Sequence, residues 1–378
     1  MMITLPADIT AVMEKLAADG AQSYLIGEGL CRLALGLPVQ EYKLVTTAEV
    51  EGVAALFPEG QAHGGRTLVA LDGGWCNIRC SGTLPGKTMQ NHVEKLMKQE
   101  PFTIFALAHN GEAVFASTTT VEDLQTRTLR FNRAANLAGS ARGALQLFCT
   151  SAQLDLPPDD SSAQSALYAA VGIKNLGAGF IRAELQRALL SAAPERLQPL
   201  VSAGMLTFAG VGTGKLSGMG ATPCTMLCRF WALLQRTQGS AQELCMALEY
   251  TDAFLKDLLW LSAAFGAPRP TTADELKRIL KGGPPCPFAE FNELFEKLQT
   301  GAGYDENLFE KLNASGEAYA PEQLAVTPAM LAAAGVAPEN VAEVHRVLFD
   351  AVFQSPALNH QQVLLKLAAE LGALGVGV

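Results

Sequence analysis

A glycine-rich stretch at residues 210–218 is the first pattern that suggests chemistry, because glycine-rich loops can wrap a phosphate group. A P-loop has a glycine, four spacer residues, a Gly-Lys pair and then a serine or threonine. Gly214 and Lys215 supply the pair, but Ala209 stands at the first glycine position and Leu216 at the hydroxyl position. No strand is predicted before the stretch, so we interpret it as a flexible loop between helices.

The eight cysteines are the next candidates, as metal ligands or disulfide partners. Cys224 and Cys228 are predicted to share a helix face, and Cys76 and Cys80 to share a strand face. Neither pair has a histidine or a second cysteine pair nearby at the spacing of a zinc site. The thiols stand among apolar neighbours, which is typical of reduced, buried cysteines.

The composition narrows the class of protein. The 378 residues include 37 acidic and 28 basic side chains, the formal net charge is −9, and 49% are hydrophobic. This excludes a disordered chain and argues against a broad electrostatic surface for nucleic acid. No apolar run reaches the roughly 18 to 20 residues of a membrane helix, and the N-terminus lacks the pattern of a signal peptide. We therefore expect a cytoplasmic protein of about two to four domains.

The elements that must position a site are mixed at first and helical later. Apolar patterns predict strands at 22–26 and 41–45, and turn residues predict hairpins at 66–80 and 102–115. The second hairpin has a long first strand that runs from Phe102 to His109. Beyond about residue 130 the strand pattern ends, and a succession of Ala/Leu-rich helices is predicted.

One long segment carries a family resemblance. Residues 24–36 and 38–48 match the pattern VGGxVRDxLLG, then DxD, then TSA, in spacing. Residues 99–107 resemble the motif RRDFTINAL, and residues 180–206 resemble the helix SxERIxxEL. In these features, over essentially its full length, the chain resembles the bacterial class II tRNA nucleotidyltransferases, which are the CCA-adding enzymes and their poly(A) polymerase relatives.

The resemblance implies an α+β fold. Its head is a polymerase β-like nucleotidyltransferase domain, a small mixed sheet with helices, and an elongated all-α neck, body and tail follow as a hook. The implied bounds are 1–130 for the head, 131–205 for the neck, 206–290 for the body and 291–378 for the tail. The implied reaction is nucleotidyl transfer from CTP and ATP to the 3′ end of tRNA, with two Mg²⁺ ions held by clustered carboxylates.

The catalytic carboxylate positions of that family are altered in this chain. The DxD positions fall on Glu41 and Lys43, and the third carboxylate position falls on Asn77. An ammonium group repels a metal ion, so we expect Lys43 to pair with Glu41. Mg²⁺ prefers mostly anionic oxygen ligands, which leaves Glu41 as the one metal ligand at most. We expect no cofactor, with Mg²⁺ only if activity is retained.

The nucleotide-binding positions that the resemblance implies are altered as well. Glu28 replaces a glycine in the phosphate-handling turn, where its carboxylate would face a triphosphate at a helix N-terminus. The family's Arg-Asp pair falls on Cys31 and Arg32, and the two arginines of RRDFTINAL fall on Gln99 and Glu100. The base-reading motif of the neck falls on residues 139–143. The candidate nucleotide-binding positions are therefore Gly27, Glu28, Gly29, Arg32, Ser140 and Arg142.

These replacements favour a homologue that has lost catalysis and keeps a binding or scaffolding role. The alternative is an active or residual nucleotidyltransferase that adds nucleotides to RNA 3′ ends, with Glu41 as its surviving metal ligand. A third hypothesis is RNA binding without chemistry, for which the only notable basic cluster is Arg269, Lys277, Arg278 and Lys281. We expect tRNA or a nucleotide as a weakly bound partner, or a protein that docks on the cleft that holds the active site in the family. We expect no association with a membrane.

Overall fold

The computed structural model describes residues 2–82, 88–299 and 303–373. The chain forms two compact units. The first unit comprises residues 1–220 and 247–249, and the second unit comprises residues 221–246 and 250–378. The predicted head, neck, body and tail boundaries stay predictions. No helix in the described ranges is both long enough and apolar enough to span a bilayer.

One mixed β-sheet of seven strands lies in the first unit, and its strand order is β3-β4-β5-β2-β1-β6-β7. The pair β2–β5 is parallel, and the other neighbouring pairs are antiparallel. The predicted α+β class is confirmed. The strands are β1 (Ser23–Ile26), β2 (Glu41–Thr46), β3 (Gln61–His63), β4 (Arg66–Leu71), β5 (Gly74–Cys80), β6 (Leu107–His109) and β7 (Val114–Ala116).

The pairing register gives this sheet one polar face. Glu41 is opposite Trp75, and Lys43 is opposite Asn77. Because side chains alternate along a strand, these four share one face of the sheet. The residues between them, such as Tyr42, are buried on the other face. The strand pattern thus exposes the candidate catalytic positions.

The helices of the first unit follow from apolar periodicity and capping. In α1, for example, Ile9, Val12 and Leu16 recur at helical spacing and are buried. In α4, Met89 and Val93 pack on the polar side of the sheet and cover its β1–β6 end. The helices are α1 (Ala7–Ala18), α2 (Glu28–Ala34), α3 (Val50–Leu56), α4 (Met89–Gln99), α5 (Thr118–Gln125), α6 (Ala141–Leu154), α7 (Asp160–Ala169), α8 (Ala178–Leu189) and α9 (Gln198–Ser202).

The predicted strand from Phe102 to His109 is wrong over its first half. A 3₁₀ turn occupies Thr103–Phe105, and the strand begins only at Leu107. The turn is stabilised by the Thr103 hydroxyl, which donates to Asp123 Oδ2 at 2.6 Å. Within this turn the adjacent side chains of Ile104 and Phe105 are both buried.

The glycine-rich stretch at residues 210–218 contains no helix or strand, so the predicted loop is confirmed. Gln198 holds this loop from one side. Its Nε2 donates to the Gly214 carbonyl at 3.0 Å, and its Oε1 accepts from the Leu216 amide at 2.7 Å.

The second unit is helical in its described residues. Cys228 lies in its first helix, but Cys224 precedes that helix and is exposed, so the predicted common helix face is wrong. The helices are α10 (Met226–Thr237), α11 (Ala241–Ala247), α12 (Asp252–Gly266), α13 (Ala273–Ile279), α14 (Phe288–Leu298), α15 (Glu306–Ser315), α16 (Pro328–Ala333), α17 (Val341–Gln354) and α18 (Gln361–Ala373).

Candidate functional site

The side chain of Glu41 is bound to a neighbouring amide. Asn77 Nδ2 donates to Glu41 Oε1 at 2.9 Å, across the parallel pair β2–β5. The expected pairing of Lys43 with Glu41 is wrong, since no ion pair joins these two side chains in the described residues. The charge of Lys43 instead lowers the pKa of Glu100, which burial raises. The three predicted catalytic positions are therefore brought together, but as one acid bound to an amide, with a cation beside them.

This donor set does not fit a pair of Mg²⁺ ions. Mg²⁺ needs near-octahedral, mostly anionic oxygen ligands, and the Lys43 ammonium lies on the same face as the only carboxylate of the three. Within the described ranges, no group of three or more His, Cys, Asp or Glu residues has the arrangement of a metal site.

The turn from Gly27 to Gly29, predicted as a phosphate-handling turn, depends on glycine for its backbone and carries a paired carboxylate. Gly27 has a φ of 81°, and a Cβ on Gly29 would lie 2.8 Å from the Glu41 carbonyl oxygen. Only glycine at position 29 thus lets α2 approach β2 this closely. Glu28 forms an ion pair with Arg32 of the next helical turn, from Oε1 to Nε at 2.8 Å.

Glu100 fills the space beside this turn. A Cβ on Gly27 would lie 3.0 Å from its Oε1, so the carboxylate packs against the glycine. Burial raises the pKa of Glu100, the charge of Lys43 lowers it, and the charge of Glu28 raises it. The negative charge of an ionised Glu100 next to the turn repels a phosphate bound there. Cys31, at the family arginine position, is buried, and burial raises the pKa of its thiol.

The neck positions 139–143 have mainly structural contacts. Ser140 caps α6, since its hydroxyl accepts from the Gly143 amide at 3.0 Å and donates to the Leu137 carbonyl at 2.9 Å. A Cβ on Gly143 would overlap the Leu137 carbonyl oxygen. Arg142 Cζ lies 4.5 Å from the centre of the Phe180 ring, a cation–π contact.

A buried acid on α8 is a feature that no sequence motif singles out. Glu184 is 3% exposed and forms an ion pair with Arg187. Burial raises its pKa, Arg187 lowers it, Glu28 raises it, and Arg142 lowers it. The sequence signal that could have found it is an acid at helical spacing from apolar residues. Ile181 and Leu185 are buried beside Glu184 on the same helix face.

A cavity of about 610 Å³ collects most of the candidate positions. Its walls come from the sheet, from α2 and from α6 and α8, all within the first unit. The candidate positions that do not line this cavity are Gly27, Asn77, Ser140 and Arg142. The candidate positions that line it are Glu28, Gly29, Arg32, Glu41 and Lys43, together with Arg187.

A smaller cavity of about 260 Å³ lies farther along the polar face of the sheet. Lys43 lines both cavities, and Asn77 lines only this one. Two arginines, Arg66 of β4 and Arg79 of β5, complete its basic wall.

The basic cluster predicted in the helical region is largely engaged. Lys277 is 6% exposed, pairs with Glu317 at 2.7 Å and donates to the Phe353 carbonyl at 3.1 Å. Lys281 pairs with Asp350 at 2.7 Å. Two of the four cations therefore have acidic partners, which weakens the cluster as a surface for RNA.

The comparisons with known proteins agree with this fold. The crystal structure of the Bacillus stearothermophilus CCA-adding enzyme in complex with CTP matches with a TM-score of 0.69 at 17% identity, covering 97% of each chain. A tRNA nucleotidyltransferase complexed with a primer tRNA and an incoming ATP analogue matches with a TM-score of 0.58 at 13% identity, covering 80% of this chain and 97% of that one.

Sequence comparison adds no relative. No protein-family model matches the chain, and no curated protein matches it. At these identities the structural matches establish the fold alone: the chain has the α+β fold of the CCA-adding tRNA nucleotidyltransferases.

Proposed function

We propose that this protein is a tRNA nucleotidyltransferase homologue that does not catalyse nucleotidyl transfer and keeps a binding or scaffolding role. The hydrogen bond between Glu41 and Asn77, with Lys43 on the same face, carries the proposal. Two-metal catalysis needs clustered carboxylates that hold two metal ions, and these ions stabilise the attacking and leaving oxygens. Here the single acid of the three is bound to a neutral amide, and a cation replaces the second acid.

The phosphate-handling turn supports the same proposal. Glu28 and Glu100 place two carboxylates around Gly27, where the resemblance implies arginines and glycine. Arg32 neutralises one of them by pairing within its own helix. These charges disfavour the binding of a nucleoside triphosphate at the N-terminus of α2. The glycine-dependent backbone of the turn is nevertheless retained.

The test is incorporation of labelled CTP and ATP onto a tRNA 3′ end in the presence of Mg²⁺. We expect no incorporation above a no-enzyme control. Incorporation that Glu41→Ala abolishes and Glu59→Ala leaves intact would refute the proposal and establish the alternative, an enzyme with altered metal ligands. Glu59 is a suitable control because it is an exposed acid of the same unit.

A further inference from the structure

The smaller cavity has three cations on adjacent strands. Arg66 of β4 is directly opposite Arg79 of β5, and Lys43 of β2 is opposite Asn77, two residues before Arg79. Neighbouring strands lie about 4.8 Å apart, and residues i and i+2 about 6.8 Å apart, so the farthest pair of Cα atoms, those of Arg66 and Lys43, lies roughly 12 Å apart. Like charges directly opposite each other destabilise a sheet, so an isolated Arg–Arg pair here is unfavourable.

These cations lack close acidic partners. Among the residues that the structure describes, no ion pair involves Lys43, Arg66 or Arg79. The acid that lines the cavity is Glu100, and Glu41 lies nearby on β2, bound to Asn77. The cavity therefore carries a positive charge of about two in a chain whose net charge is −9.

We propose that this cavity binds a phosphate group without a metal ion, with Lys43, Arg66 and Arg79 as the cations and Asn77 as a neutral donor. The inference rests on the proposed binding role and names its ligand chemistry. Arginine forks suit phosphate oxygens. Among the described residues the Asn77 amide donates one hydrogen bond, to Glu41, which leaves its second hydrogen for a ligand. The phosphate source is inorganic phosphate or the phosphates of a nucleotide.

Calorimetric titration in EDTA tests this inference. Inorganic phosphate, pyrophosphate and ATP are each titrated into the full chain at low salt. We expect saturable binding that Arg79→Ala weakens at least about tenfold, because one charge-assisted hydrogen bond is lost. The matched control is Arg133→Ala, an exposed arginine of the first unit outside the cavity, which leaves the affinity unchanged. The tightest of the three ligands identifies the phosphate source.

Thermal unfolding of the wild type and of Arg66→Ala, with and without phosphate, gives a second test. Without phosphate, Arg66→Ala is expected to raise the Tm, because it removes the charge opposite Arg79. With saturating phosphate, the wild-type chain is expected to gain more than the variant, since a ligand stabilises the state that binds it. The Tm advantage of the variant is therefore expected to shrink or reverse when phosphate is added.

Three results would overturn the inference. They are binding that requires Mg²⁺, binding that survives Arg66→Ala and Arg79→Ala, and no binding of any of the three ligands at about 10 mM. Only the first also favours an active enzyme. The other two leave the proposed loss of catalysis untouched, because the incorporation assay measures it separately.

Discussion

The hydrogen bond from Asn77 to Glu41 predicts a measurable coupling energy between the two side chains. The bond is 2.9 Å long and is partly buried. A hydrogen bond to a charged group contributes about 1.5–3 kcal/mol when buried, and partial exposure reduces this value. We therefore expect Glu41→Ala and Asn77→Ala to be coupled by about 1 kcal/mol in the free energy of unfolding.

A double-mutant cycle with urea unfolding of the wild type, both single variants and the double variant measures this coupling. The control cycle uses Gln90 and Glu94, whose contact is longer, 3.4 Å, and exposed. Its coupling is expected to stay within about 0.3 kcal/mol. A Glu41–Asn77 coupling that small would refute the bond. A coupling that about 10 mM Mg²⁺ removes would show that Glu41 is free to bind metal, against the proposed function.

Three further predictions concern stability, each measured by urea unfolding. Gly29→Ala is expected to destabilise by about 1–3 kcal/mol through overlap with β2, whereas Gly52→Ala, whose Cβ would meet only the Asp19 carboxylate at 3.9 Å, is expected to stabilise by about 0.5–1 kcal/mol; equal effects would contradict the close approach. Glu100→Gln is expected to stabilise at pH 7 and not below pH 4, because a pKa raised by folding makes stability fall as pH rises; a gain independent of pH would contradict this. Arg187→Ala is expected to cost about 1–3 kcal/mol at pH 7 and less in acid, where Glu184 is protonated; a loss equal at both pH values would contradict the pair.

Local patterns were sufficient to predict most of the sheet. Strands β4 and β5 have period-two burial, and β1 and β2 are short apolar runs with turn residues at their ends, all of which are short-range signals. The exception is the segment that begins at Phe102, where the predicted strand is wrong. Phe102 packs against Phe131, 29 residues later, and forms a β-bridge with it. A contact that distant in sequence overrides local strand propensity, and periodicity does not reveal it.

The candidate site was predictable in position and not in its contacts. The family resemblance assigned Glu41, Lys43 and Asn77 to one site on two predicted strands, and the structure pairs these strands side by side. Which partner each side chain binds depends on pairing across many residues, such as the 36 that separate Glu41 from Asn77. The effect of the Lys43 charge on the pKa of Glu100 is likewise a contact between distant parts of the chain. It arises because α4 ends beside β2.

The parallel pair β2–β5 also has a consequence for engineering. Both strands have neighbours on each side, so their register cannot slip without breaking the whole sheet. Positions 41, 43, 75, 77 and 79 form a rigid grid of outward-facing sites whose side chains are not part of the core. Ligand sets can therefore be exchanged on this grid at little cost to folding, which makes it a scaffold for designed metal or anion sites.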